Sequence, residues 1–231
     1  MKALVFDSGP LISMTMNNLL WLLEPLKGVF KGDFYIPESV KSELVDDAFD
    51  TKKFKFEALQ VEELLSRGVV KVLPDRLTKP STLELLQLAN SCFSVRGRPL
   101  NIVHYGEIAS VVAVSHLGAS ALVLDERITR ELIEHPQHLA KIIEKKLHTR
   151  VQSNPAVIDS FRRLTKDIGI VRSAELAAVA FEKGLLNRYA ASSLENPKKA
   201  VLESVLWGLK MDGCAINERG IKAILKAEGF K

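Results

Sequence analysis

Four acidic side chains, each placed where an apolar stretch starts or stops, are the residues of this sequence with most chemistry to offer. Asp7 ends the run Ala3-Leu4-Val5-Phe6, Asp125 ends the apolar segment 119–124, and Glu107 opens the apolar stretch 108–114. Glu43 lies in a segment introduced by Pro37. Two like charges about 4 Å apart repel by roughly 4 kcal/mol at an effective dielectric near 20, so carboxylates gathered in one place need a counter-charge. Oxygen ligands suit Mg²⁺ or Mn²⁺, which retain exchangeable waters that phosphate oxygens and a nucleophile can replace. The chemistry expected of Asp7, Glu43, Glu107 and Asp125 together is metal-assisted hydrolysis of a phosphodiester. Taken singly, each has an ordinary role. An Asp after a strand caps helices, Glu43 suits a solvated helix face, and a Glu in a first helical turn contributes about 0.3–1 kcal/mol. Only the combination points to a site.

The elements that must position these acids can be read from apolar runs and turn residues. Residues 2–6, 34–36, 69–73, 119–124 and 168–171 read as short strands. Helices are expected from near Pro10 through Leu23, from Pro37 through Leu44, over 54–66, from Ser81 to about Ala89, and from His104 to Leu117 with Gly118 closing it. Ser173 is placed to cap a helix from Ala174 to Lys183 that Gly184 ends. The segment from Ser91 to Asn101, with Arg96-Gly97-Arg98-Pro99 inside it, reads as a surface loop. This alternation predicts an α/β fold: a three-layer α/β/α sandwich with a central parallel sheet, spanning residues 1–185. Within it, residues 131–166 form a helical, basic insertion. Residues 186–231 form a C-terminal helical extension, with helices opening at Asn196-Pro197 and at Asn217. Open parallel sheets bind ligands outside the carboxyl ends of their strands. That places Asp7-Ser8, Asp125-Glu126 and Arg172-Ser173 on one rim, whereas spacing alone does not locate Glu43 or Glu107.

Bulk properties narrow the classes. With 231 residues and 47% hydrophobic content the chain can bury a real core. Lys and Arg number 32 against 28 Asp and Glu, a surplus that permits a nucleic-acid partner without demanding one. Cys92 and Cys214 form neither a CxxC pair nor a Cys/His ligand spacing, which argues against zinc and for a reducing, cytoplasmic setting. The N-terminus lacks the features of a signal peptide, and the apolar region 108–124 is broken by Ser110, Ser115, His116, Gly118 and Ser120, so no membrane span is expected. Phe6-Asp7-Ser8-Gly9 superficially suggests an aspartyl phosphohydrolase, but position 9 is Gly where a second Asp is required. There is no GxGxxG or Walker segment. His135 and His138 flank Pro136, which disfavours a helical metal pair.

Four segments together resemble the PIN-domain family, over residues 1 to about 185. Asp7-Ser8-Gly9-Pro10-Leu11-Ile12 is similar to that family's opening strand-turn-helix motif, and Ile36-Pro37-Glu38-Ser39-Val40-Lys41-Ser42-Glu43-Leu44 to its proline-led second helix. Gly106-Glu107-Ile108-Ala109 resembles the Gly-Glu form of the third acidic motif found in a prokaryotic and archaeal subgroup. Leu124-Asp125-Glu126-Arg127-Ile128-Thr129-Arg130 resembles the fourth. The resemblance implies an endoribonuclease that uses Mg²⁺ or Mn²⁺ to leave 5′-phosphate and 3′-hydroxyl ends on single-stranded or structured RNA, with Asp7, Glu43, Glu107 and Asp125 as metal ligands. Glu126 is the alternative fourth ligand, with Asp125 favoured because it follows the strand directly. It also implies a homodimer and, for the toxin-like members, an antitoxin partner. The competing reading is an RNA-binding or assembly module of the same fold that cleaves little or not at all.

Ser8 would position water or metal, or simply serve the turn. Arg130 would contact phosphate or pair with a neighbouring acid, and Ser173 is a helix cap in preference to a catalytic group. Lys141, Lys145, Lys146, Arg150, Arg162, Arg163 and Lys166 make the insertion basic and offer phosphate contacts. A solvated helical face is the competing reading for them, since no aromatic residues are interleaved for base stacking.

Overall fold

The computed structural model describes residues 2–190 and 193–230. β1 (Ala3–Phe6) runs directly into α1 (Ser8–Met16), and a 3₁₀ turn at Leu20–Leu22 leads to α2 (Leu23–Phe30) and β2 (Asp33–Pro37). α3 (Glu38–Lys41), a π-helical turn at Ser42–Asp46 and α4 (Asp47–Asp50) make one helical segment, followed by α5 (Lys55–Ser66) and β3 (Val70–Leu73). α6 (Lys79–Ser91), β4 (Phe93–Val95), β5 (Arg98–Pro99), α7 (Tyr105–Leu117) and β6 (Ala121–Val123) come next. After them the chain forms α8 (Arg127–Glu134), α9 (Pro136–Leu147), β7 (Gln152–Ser153), α10 (Pro155–Thr165), β8 (Ile170–Val171) and α11 (Ser173–Glu182). A 3₁₀ turn at Leu185–Tyr189 and the helices α12 (Pro197–Met211) and α13 (Glu218–Ala227) complete it.

β1, β2, β3, β6 and β8 form one sheet in the order β3-β2-β1-β6-β8, with every pair parallel. The strands are apolar on both sides because both faces are covered, as parallel sheets require. Leu4, Phe6, Phe34, Ile36 and Val123 turn to one core, which α1, α2, α5, α11, α12 and α13 close. Val5, Leu73, Leu122 and Leu124 turn to the other, closed by α6, α7, α8, α9 and α10. At about 1.5–3 kcal/mol for each large side chain removed from water, these two layers supply the main drive to fold. The expected three-layer α/β/α sandwich is the fold.

The C-terminal helices belong to the first layer. Leu202, Leu206 and Leu209 of α12 are buried with Leu11 and Met14 of α1. Asn17 Nδ2 donates to Asp212 Oδ2 at 2.8 Å and to Ser13 O at 2.8 Å. The two helices meet at Gly208, where a Cβ would stand 2.0 Å from Asn17 Oδ1.

Several local expectations are corrected. The helix expected from Pro10 to Leu23 begins at Ser8 and stops at Met16, because Asn18 adopts φ +54°, a left-handed conformation that Asn tolerates better than most residues. The expected loop from Ser91 to Asn101 contains the β4–β5 hairpin, whose turn residues Arg96 and Gly97 both have positive φ, as tight hairpin turns demand. β7 then pairs with β4, making a small antiparallel sheet in the order β5-β4-β7. Ser173 is the first residue of α11 and not its cap. Arg172 holds the cap position, where its backbone N–H donates to Glu175 Oε2 at 2.9 Å.

Candidate active site

The chain passes from the central strand β1 outward through β2 and β3, then returns to β6 on the other side of β1. The point between β1 and β6 is therefore the topological switch, where parallel sheets leave a crevice at the strand ends. Asp7 stands at that end of β1, with its backbone N–H donating to Val123 O of β6 at 3.0 Å. Asp125 follows the same end of β6. They are 3% and 2% exposed, so both carboxylates have been taken out of water.

Asp7 is the cap residue of α1, and the backbone amides of Ser8 and Gly9 pull its carboxyl down. Stronger influences push the other way. Burial comes first, followed by the charge of Glu107 and, less strongly, that of Glu43, and the carboxyl is raised from 3.8 to about 7. Glu107 and Glu43 thus stand close enough for their charges to act on Asp7. Ser110 Oγ lies 3.4 Å from Asp7 Oδ1 while donating to Gly106 O at 3.0 Å, so it gives Asp7 little relief. Among the described residues Asp7 forms no ion pair.

Glu107 sits in the first turn of α7. Its Oε2 accepts the Thr129 hydroxyl at 2.7 Å and the His104 backbone N–H at 3.2 Å. Burial raises the Glu107 carboxyl and the charge of Glu126 adds to the rise, while the Thr129 and His104 hydrogen bonds oppose it. Glu43 lies in the π-helical turn Ser42–Asp46, and its Oε2 would be 3.7 Å from a Cβ placed on Gly106, which brings Glu43 against the start of α7 next to Glu107. Glu126 is the cap of α8, accepting the Thr129 backbone N–H at 2.6 Å. Thr129 therefore joins Glu126 to Glu107, one through its amide and the other through its hydroxyl.

Asp125 has different surroundings. Its Oδ2 accepts the hydroxyls of Ser13 at 2.8 Å and Ser173 at 2.6 Å, and its Oδ1 accepts the Ser173 backbone N–H at 2.8 Å. Ser173, placed by sequence as a cap, instead ties α11 to the end of β6.

Asp7, Glu43 and Glu107 offer carboxylate oxygens, and Asp7 has no ion pair among the described residues, an environment that a hard divalent cation relieves. Among the described residues, however, no group of three or more His, Cys, Asp or Glu side chains is arranged to hold a metal ion. The acids share a rim without forming a ready-made coordination shell.

The other candidate residues lie apart from this rim or are engaged elsewhere. Arg130 pairs loosely with Glu131 at 4.0 Å, and its buried Nε has no hydrogen-bond partner among the described residues. Lys141, Lys145, Lys146 and Arg150 are exposed on α9 and the turn after it. Arg162 and Arg163, in the last turn of α10, and Lys166 just beyond are exposed too. Leu164, beside these arginines, shares a cavity of about 370 Å³ with Ser115 and His116, at the far end of α7 from Glu107. Sequence reasoning missed Ser13, Ser110 and Thr129. The signal for the two serines was a small polar residue inside an apolar helical stretch, which an inward-facing hydrogen bond explains.

Comparison of the chain with protein-family models, curated proteins and solved structures finds no match. No helix among the described residues is long and apolar enough to cross a membrane.

Proposed function

We propose that this protein is a divalent-metal-dependent endoribonuclease whose site is the acidic rim at the β1–β6 switch. The observation that carries the reading is Asp7: a buried carboxylate raised to about 7 by burial, Glu107 and Glu43 is costly to ionise unless a cation joins it. In this reading Asp7, Glu43 and Glu107 ligate Mg²⁺ or Mn²⁺. When bound, the ion would neutralise the carboxylates, polarise a phosphate oxygen and lower the pKa of a water. The residues of the chain supply position. Asp7 is fixed at the strand end by its amide bond to β6, and Glu107 is oriented through Oε2 by Thr129 and His104. Hydrolysis adds water across the P–O3′ bond, giving a 5′-phosphate and returning a proton to the 3′ oxygen.

RNA as the substrate rests on the resemblance of the four acidic motifs, as do a homodimer and an antitoxin partner, whereas a cytoplasmic setting rests on the two cysteines, Cys92 and Cys214, which lie far apart in the chain. A second reading, an RNA-binding or assembly module with little cleavage, is favoured by the absence of a ready-made ion site among the described residues. Incubation of end-labelled single-stranded and structured RNA with Mn²⁺ or Mg²⁺ separates the two. The nuclease reading expects cleavage that EDTA and Asp7→Asn both abolish. Binding without product supports the module, and equal cleavage by Asp7→Asn and the parent rejects the site.

A further inference from the structure

Asp125 is where four separate elements meet. Its carboxylate at the end of β6 takes the hydroxyl of Ser13 from α1 and both the hydroxyl and the amide of Ser173 from α11. Its backbone carbonyl accepts the N–H of Ala215, in the turn between α12 and α13, at 3.0 Å. Arg172 Nη1 holds the same turn by donating to Ala215 O at 3.1 Å, while its guanidinium pairs with Glu175. Cys214 lies against the carboxylate as well. Burial first, and then Asp125, push its thiol up to about 12, so it stays protonated. A carboxylate offers about four lone-pair sites, and at Asp125 three are already filled by hydroxyl and amide donors. Glu126 points elsewhere, with its charge acting on Glu107.

We propose that Asp125 is a positioning residue and not a metal ligand: it clamps α1, α11 and the Cys214–Ala215 turn to the end of β6 and leaves the acidic rim to Asp7, Glu43, Glu107 and Glu126. Asp7 and Asp125 are neighbours across the β1–β6 ladder. A Cβ on Gly9 would stand 3.5 Å from Asp125 Cβ and 3.8 Å from Asp7 Oδ2, so α1 is the shared wall between them. Through Ser13, Asp125 holds that wall, and through Ala215 it couples the C-terminal helices to the rim. The catalytic consequence rests on the nuclease reading, but the clamp does not.

The test uses the full-length protein and its Asp7→Asn, Asp125→Asn, Ser13→Ala, Ser173→Ala and Asp125→Asn/Ser173→Ala variants. It measures urea unfolding, Mn²⁺ affinity by titration, and kcat and KM for RNA well below the unfolding temperature. Asp125→Asn and Ser173→Ala are expected to lower the unfolding midpoint, with the double variant losing clearly less than the sum. Mn²⁺ affinity should stay within about threefold of the parent in the Ser13, Ser173 and Asp125 variants and fall more than about tenfold in Asp7→Asn. Ser13→Ala and Ser173→Ala should lower kcat at unchanged KM, the mark of a misplaced rim and not of lost binding.

The clamp is overturned if Asp125→Asn weakens Mn²⁺ as much as Asp7→Asn does. It is equally overturned if the serine variants leave midpoint and kcat unchanged, an outcome readable even when Asp125→Asn does not fold. Absence of Mn²⁺ binding and cleavage in the parent would sink the nuclease reading, whereas the unfolding data would still decide the clamp.

Discussion

Asp7 and Asp125 end neighbouring strands of one sheet and are almost equally buried, yet one is surrounded by carboxylates and the other by donors. Desolvation acts on both. At Asp125 two hydroxyls and an amide replace the lost water, so the buried charge is satisfied and its neighbours are fixed in place. At Asp7 the two amides of α1 are outweighed by burial and by Glu107 and Glu43. Equal burial therefore makes one aspartate a structural anchor and leaves the other a charge in need of a partner. Among the described residues no lysine or arginine is paired with it, and in the proposed reading a cation from solution completes it.

The largest effect that could break this contrast is on turnover. Asp7→Asn is expected to lower kcat by at least about 100-fold, read from initial rates of RNA cleavage at saturating Mn²⁺. Next comes stability without divalent ions at pH 8, where the two substitutions should have opposite signs. A rise from 3.8 to about 7 corresponds to roughly 4 kcal/mol of strain when Asp7 ionises, so Asp7→Asn should raise the unfolding free energy by up to about that much. Asp125→Asn should lower it by about 3 kcal/mol, because a buried hydrogen-bonded charge is replaced by a group with one acceptor oxygen. Urea titrations of both proteins in one buffer would show it, and a shared sign would erase the distinction.

The same contrast can be sharpened by pH. Asp7 has a higher pKa folded than unfolded, so the folded state binds the extra proton between about 4 and about 7. Its contribution is fully present below the unfolded pKa and is lost as pH rises through about 7. Apo protein should thus lose Asp7-dependent stability between about pH 4 and about pH 7, seen as a difference between parent and Asp7→Asn melting curves, and Mg²⁺ should restore it at the alkaline end. The smallest expected effect is at Thr129. Thr129→Val removes the hydroxyl that holds Glu107 and should cost about 1–3 kcal/mol of stability, together with a further rise of the Glu107 carboxyl, measurable by side-chain NMR titration. An unchanged Glu107 titration would detach Thr129 from the site.

Much of the architecture was legible before folding. The short apolar runs ending in Asp7 and Asp125 fit buried parallel strands, because a strand in a sheet covered on both faces carries apolar residues on both sides. Pro37, Gly118, Asn196 and Asn217 mark helix boundaries through φ restriction and capping. Where reading failed, the deciding interaction was conformational or remote. The break at Asn18 depends on a left-handed residue that periodicity does not register. The β4–β5 hairpin is completed by β7, more than fifty residues further along the chain.

The candidate site divides in the same way. Sequence alone determined that acids stand at strand ends and helix starts, since strand termini, caps and the apolar period are local properties of the chain. Only the tertiary structure decided which acid does what. Asp125 and Glu126 are adjacent in sequence, but their carboxylates reach different neighbours, and the hydroxyls that claim Asp125 come from Ser13 and Ser173, 112 and 48 residues away. Desolvation and donor supply are set by that three-dimensional neighbourhood, and they separate a satisfied buried carboxylate from one that still calls for a cation.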